Sequence, residues 1–188
     1  FFSSRVIVIT FPLSLSADWQ STAQVTGLSN AEKEWLFEPH SLTAKLKSQS
    51  QRFAVKVLSE QKVDLSQSQQ TLLSKQVRTV LNREELLLCD EQPIVYAQSW
   101  LPITSNNTNN QLHNMGERPL GDVIFQDPAL RRTDIEIARF DGNHSLQSLV
   151  SELNLPNRSL LGRRSEFSLH NYQFLVCGVF LPGAYLYS

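Results

Sequence analysis

Two strand-like runs, residues 76–89 and 93–101, are separated by nothing but Asp90-Glu91-Gln92. A turn this short joins only neighbouring antiparallel strands, so a hairpin is expected here, at the centre of a sheet. In its first strand Val77, Thr79, Leu81, Arg83, Glu85, Leu87 and Cys89 share one face. Arg83 therefore falls among apolar neighbours, where a guanidinium needs an anion. That anion is either a structural carboxylate such as Glu85 or the carboxylate of a ligand, which the planar fork of arginine matches with two parallel bonds. A local bulge that turns Arg83 to water is the remaining option.

Ser29-Asn30-Ala31-Glu32 has the form of a capping box, and Trp35, Leu36 and Phe37 give the helix behind it an apolar stripe, ended by Pro39. A second helix is expected from Ser41, with Leu42 and Leu46 on one face, which makes a helical hairpin. From Phe53 the period changes to two, and Phe53, Val55 and Val57 mark a partly buried strand followed by a polar Ser/Gln connector through Gln70. Residues 105–119, beginning with a stretch rich in Asn and Thr, read as a long surface excursion of the kind that forms lids. A short helical piece around Leu120 to Phe125 comes next, and Thr133, Ile135 and Ile137 then alternate. A helix is expected over 144–153, with strands over 163–169 and 172–181.

The expected class is α+β, a mostly antiparallel sheet of about six strands flanked by helices. With 188 residues and 41% hydrophobic content, the chain suits a single domain over 1–188, whose first 28 residues are poorly defined. Within these, Val6-Ile7-Val8-Ile9 reads as a short edge strand rather than a signal-peptide core.

Seventeen basic and 18 acidic residues leave a formal net charge of -1, which gives no electrostatic case for nucleic acid or for an anionic membrane. No apolar run reaches the length that spans a bilayer. Cys89 and Cys177 lie in apolar runs without metal-ligand spacing and read as buried thiols suited to a reducing cytoplasm. The four histidines, His40, His113, His144 and His170, are scattered, so no metal is expected. No phosphate loop, dinucleotide fingerprint or nucleophile elbow occurs, and no cofactor is expected. Three Asn-x-Ser/Thr triplets carry no weight, since such triplets arise by chance. In Arg131-Arg132 and Arg163-Arg164, neighbours on a strand face opposite ways, so at most one of each doublet points inward. Ion pairs with Asp134, Glu136 or Glu166 would account for both doublets.

Several blocks resemble the bacterial chorismate lyase family, in the family's order, from Trp35 to Tyr187. They are Trp35-Leu36 with Ser41-Leu42-Thr43, Arg83-Glu84 with Leu87-Leu88 and Pro93, and Pro119-Leu120-Gly121 with Phe125, Arg132 and Ile135-Glu136-Ile137. The last is Gly162-Arg163-Arg164-Ser165 followed by Val179-Phe180-Leu181-Pro182. The resemblance implies an antiparallel sheet with a small closed pocket under helix-turn-helix flaps. It implies elimination of pyruvate from chorismate to give 4-hydroxybenzoate for ubiquinone synthesis, by a cytoplasmic monomer without cofactor. Arg83 is the catalytic residue it implies, holding the ring carboxylate. Leu42 and Leu120 would bind substrate mainly through their backbones, and Gly178 would complete the binding site.

Two positions depart from the family pattern. Gly178 stands where the family directs a glutamate at the ring hydroxyl, and Gln98 stands where an arginine is common. Both changes are expected to remove charge from the pocket. A nearby carboxylate such as Glu136, or water, would fill the gap, and Gly178→Glu is expected to raise activity. The alternative is a catalytically impaired family member, or a ligand-binding domain that binds aromatic acids without turnover.

Overall fold

Asp90 and Glu91 both take positive φ, 49° and 71°, and reverse the chain within two residues, in the sense that matches the twist of the flanking strands. Asp90 stays there because its Oδ1 accepts the N–H groups of Gln51 and Arg52 at 3.0 and 2.8 Å. His170 and Asn171 make a second such turn, with φ of 49° and 65°. The computed structural model describes residues 9–104 and 111–188. The edge strand expected from Val6 and the first part of the surface excursion lie outside the described residues.

In chain order the elements are β1 (Gln20–Ser21), α1 (Asn30–Leu36), α2 (Leu42–Ser48), β2 (Phe53–Asp64), α3 (Gln67–Gln70), β3 (Thr79–Cys89) and β4 (Gln92–Pro102). There follow α4 (Leu120–Ile124), β5 (Arg131–Arg132), β6 (Glu136–Phe140), α5 (His144–Glu152), β7 (Leu160–Leu169) and β8 (Tyr172–Phe180). All strand pairs are antiparallel, in the order β1-β6-β7-β8-β4-β3-β2, with β5 on β7. The α+β class holds: six strands have five residues or more, and β1 and β5 add two of two residues each. The β3–β4 hairpin forms as expected but is displaced from the centre, because β8 inserts between β4 and β7. The connector after β2 also holds a helix, α3, whose capping box of Ser66 and Gln69 gives that turn its local stability.

Ser29 and Glu32 form the capping box of α1, and Ser41 caps α2. Helices of seven residues are marginal alone, and packing fixes these two: Trp35, Leu36 and Leu46 are buried against Val55, Leu87, Val95 and Phe180 on one face of the sheet. Helix α4 covers the same face further along, with Leu120, Val123 and Ile124 packed among Leu101, Phe167 and Phe174. The other face is covered by α5 and by the segment after Ile9, around Tyr96, Phe140, Leu146 and Val179. Both thiols are free and buried. Among the described residues, no helix is long and apolar enough to cross a membrane.

Candidate active site

The register lines up one row of residues across four strands: Glu85 on β3 faces Ala97 on β4, Ala97 faces Gly178 on β8, and Gly178 faces Arg163 on β7. Neighbouring strands lie about 4.8 Å apart, so the two charged ends of the row are about 14 Å apart at their Cα atoms. The two central residues are the smallest available. Over them lies a cavity of about 70 Å³, several times what one buried water requires.

Helices α2 and α4 roof this cavity, through Leu42, Thr43, Leu120, Gly121 and Ile124. The roof closes tightly because Gly121 has no side chain: a Cβ there would lie 2.8 Å from Thr43 Oγ1 and 3.1 Å from Ser41 Oγ. At the surface Lys47 and Asp122 tie the two helices with an ion pair of 2.6 Å. Leu42 and Leu120 are each the first residue of a helix, where the backbone N–H has no intrahelical partner. The structure thus brings Leu42, Leu120 and Gly178 together at one cavity.

Arg83 is only 1% exposed and lies beside the cavity rather than in its lining. Its Nε donates to Glu85 Oε2 at 2.8 Å, its Nη1 to Glu60 Oε1 at 2.6 Å and its Nη2 to the carbonyl of Arg118 at 3.3 Å. Every nitrogen of the guanidinium is therefore in use, two of them on carboxylates. Glu85 does line the cavity. Burial raises its carboxyl above the usual range, against the pull of Arg83, and its Oε1 has no hydrogen-bond partner among the described residues.

The opposite end is differently charged. Arg163, 5% exposed, donates through Nη1 to the carbonyls of Trp35, Leu36 and Glu38 at 3.3, 3.2 and 2.7 Å, the free carbonyls that end α1. Arg132 donates to Ser165 Oγ at 2.9 Å and to the carbonyls of Glu38 and Pro39 at 3.4 and 3.1 Å. It also stacks over Phe167. Both line the cavity; among the described residues neither makes a direct ion pair, but the nearby Glu38 carboxylate acts on both as a counter-charge. Burial lowers Arg132 to about 10, and burial with Arg132 nearby lowers Arg163 to about 9. One member of each doublet, Arg132 and Arg163, points inward, within the limit of one that alternation sets. The ion-pair explanation holds for Arg164, whose Nε donates to Glu136 Oε1 at 2.9 Å.

Two expectations from the sequence are corrected. Gln98 is not in this cavity: it points through the opposite face, where its Nε2 donates to the carbonyl of Leu13 at 2.9 Å and its Oε1 accepts from Trp100 Nε1 at 2.9 Å. Glu136 is also unavailable to fill the gap at Gly178. It faces Arg164 in the β6–β7 register and is turned from the row by one residue of strand alternation. Sequence reasoning missed Glu85 as the cavity carboxylate, although its place on the same face as Arg83 was the available signal.

The chorismate lyase family profile matches residues 13–188. A protein of Pseudoalteromonas translucida named probable chorismate pyruvate-lyase is 71% identical over 180 residues, 96% of this chain and 100% of the relative. One of the same name from Psychromonas ingrahamii is 39% identical over 185 residues, covering 96% and 98%. In three dimensions the effector domain of PhnF from Mycobacterium smegmatis superposes with a TM-score of 0.53 at 18% identity, over 77% of this chain and 89% of that one. That last likeness is one of fold. The match across the whole sheet and both roof helices, with relatives of nearly full coverage, makes this chain a member of the chorismate lyase family.

Proposed function

We propose that the protein is a chorismate lyase, which eliminates pyruvate from chorismate to leave 4-hydroxybenzoate, working as a cytoplasmic monomer that supplies ubiquinone synthesis. The observation that carries this reading is the small roofed cavity with an acidic and a basic end, in a chain whose family membership points to this substrate. Chorismate is a cyclohexadiene: as the ring C–O bond of its enolpyruvyl ether breaks and a ring hydrogen leaves as a proton, the ring becomes aromatic. The departing enol of pyruvate takes up a proton to give pyruvate. The substrate itself supplies much of the driving force, so contacts that orient it in a dry cavity can carry much of the acceleration.

In this reading the backbone N–H groups of Leu42 and Leu120 meet the substrate from the roof, and Ala97 and Gly178 form the floor under its ring. Arg83 fixes Glu85, whose second oxygen opens on the cavity as a proton acceptor with a raised pKa. A direct bond from Arg83 to the ring carboxylate, as the resemblance implies, would use the N–H donors on Nη1 and Nη2 that its bonds to Glu60, Glu85 and the Arg118 carbonyl leave over.

Incubation of the purified chain with chorismate, with 4-hydroxybenzoate and pyruvate followed together, tests the proposal. Equal release of both products is expected. Gly178, which offers no side chain at the floor, favours a second reading in which the chain binds aromatic acids without turnover. Tight binding of 4-hydroxybenzoate with no pyruvate released would establish that reading instead.

A further inference from the structure

The other face of the sheet holds a second cavity, of about 390 Å³ against about 70 Å³ for the roofed one, within the size range of small-molecule sites. Its floor is Asn82, Gln98, Trp100 and Leu175, from β3, β4 and β8. Two separate pieces of chain, residues 12–19 and 63–72, form the walls, with Trp19, Leu65 and Leu72 turned to the space. Each wall is held by bonds of its own. The carbonyl of Ser14 accepts from Asn143 Nδ2 at 3.0 Å, and the carbonyl of Leu65 accepts from Gln70 Nε2 at 3.0 Å.

The polar groups on this floor are of one kind. Asn82 is 1% exposed, and its Nδ2 donates to Glu84 Oε2 at 3.0 Å, which turns Oδ1 the other way. That oxygen has no hydrogen-bond partner among the described residues. No fully enclosed side-chain oxygen or nitrogen among them lacks a partner, so Oδ1 opens on the cavity that Asn82 lines. An acceptor taken out of bulk water and left unpaired costs free energy that a donor would recover. Gln98 is oriented alike: its Nε2 donates to the Leu13 carbonyl, and its Oε1 accepts from Trp100 Nε1 and keeps a second lone pair. Behind both stands the buried carboxylate of Glu84, which accepts from Asn82 Nδ2 and Gln98 Nε2. The floor therefore calls for a donor and repels an anion. At the side of the cavity Arg164 has its charge met by Glu136 at 2.9 Å and lies 4.4 Å from the ring centre of Trp19.

We propose that this second cavity binds an uncharged aromatic molecule that carries a hydroxyl group, with its ring among Trp19, Trp100 and the leucines and its O–H donating to Asn82 Oδ1. The site is independent of the chorismate lyase reading. Chorismate and 4-hydroxybenzoate are anions, and a carboxylate on this floor would face two acceptor oxygens with Glu84 behind them.

Titration calorimetry of the full chain with 2-naphthol, and with its methyl ether 2-methoxynaphthalene, which has the same rings and no donor, tests the proposal. An excess of 4-hydroxybenzoate is present throughout, so that any site for ring acids is occupied. The unaltered chain is expected to bind 2-naphthol with a dissociation constant on the order of 10 μM and to prefer it to the ether about tenfold, the worth of one hydrogen bond. Leu72→Trp and Ser68→Trp each put an indole where the ring would lie and should weaken 2-naphthol about tenfold or more. Asn82→Ala should bring the two affinities together. Ser68 is exposed on α3, so its replacement leaves the packing in place and keeps the test decisive should another variant fail to fold. The proposal is overturned if 2-naphthol does not bind, or if it binds unchanged in the folded tryptophan variants, which would put the ring elsewhere. Equal affinity for the ether in the unaltered chain, or a preference that survives in folded Asn82→Ala, overturns it as well.

Discussion

Arg163 on β7 stands directly opposite Gly178 on β8, while Gly162, one residue earlier, stands opposite Val179. The two glycines serve opposite faces of the sheet and differ in the room around them. A Cβ on Gly162 would come within 2.8 Å of Phe140 Cε2 and 3.2 Å of the Gly178 carbonyl. Gly162→Ala should therefore destabilise the fold by about 1–3 kcal/mol through overpacking. Gly178→Ala, with open space above it, should change stability by no more than about 0.5 kcal/mol. Urea midpoints of the two variants give the comparison.

Tyr187 fastens the C-terminal turn to the sheet. Its hydroxyl donates to the carbonyl of Phe180 at 2.7 Å and accepts from the N–H of Leu161 at 2.8 Å. Tyr187→Phe leaves both backbone groups without this partner and should lower stability by about 1–2 kcal/mol, read as a fall in thermal midpoint.

The hairpins, the capped helices and the burial of Cys89 and Cys177 were legible because period, turn length and cap residues are local properties. The place of β8 between β4 and β7 was not, since strand order depends on contacts far apart in sequence. The same limit applies to the site. Alternation could say that at most one arginine of each doublet points inward, but only the register shows that Arg163 faces Gly178. Gln98 was assigned to the wrong face for a related reason. Its family position suggested a pocket residue, whereas one step of alternation from Ala97 sends it to the other side.

Glu84 is fully buried on that other side. Its carboxylate accepts from the N–H of Leu13 at 2.7 Å, from Asn82 Nδ2 at 3.0 Å and from the Tyr96 hydroxyl. Burial raises its pKa above 4.5, and the bonds from Tyr96, Leu13 and Asn82 pull it partly back. A carboxyl raised by folding contributes most below its unfolded pKa, and that contribution is lost as pH rises through the folded value. Glu84→Gln does not titrate. The stability difference between variant and unaltered chain should therefore move in the variant's favour from pH 4 upward, and urea midpoints taken across that range would show a flat difference if Glu84 were unshifted.

The ion pair of Lys47 with Asp122 is half exposed and worth little to overall stability, yet it joins the two helices over the cavity. Lys47→Ala should speed release of 4-hydroxybenzoate several-fold with the thermal midpoint nearly unchanged. Stopped-flow displacement measures this directly, and an unchanged release rate would show that the roof opens elsewhere.

Glu91 holds a left-handed conformation at the β3–β4 turn that suits glycine, and the ion pair it makes with Arg52 is exposed. Glu91→Gly would make the turn Asp-Gly, a favoured pairing for this hairpin, and should add about 0.5–1 kcal/mol, visible as a higher thermal midpoint.

The two tight turns are also the protein's margin for change. Glu91 and His170 keep side chains where the backbone favours glycine or asparagine, and neither turn lines the cavity. Stability recovered at such turns can offset the destabilisation that most alterations of a packed cavity bring. A lineage or a laboratory seeking to remodel the cavity for a different ring acid therefore has its compensating substitutions available in advance, at the far ends of the hairpins whose middles build the floor.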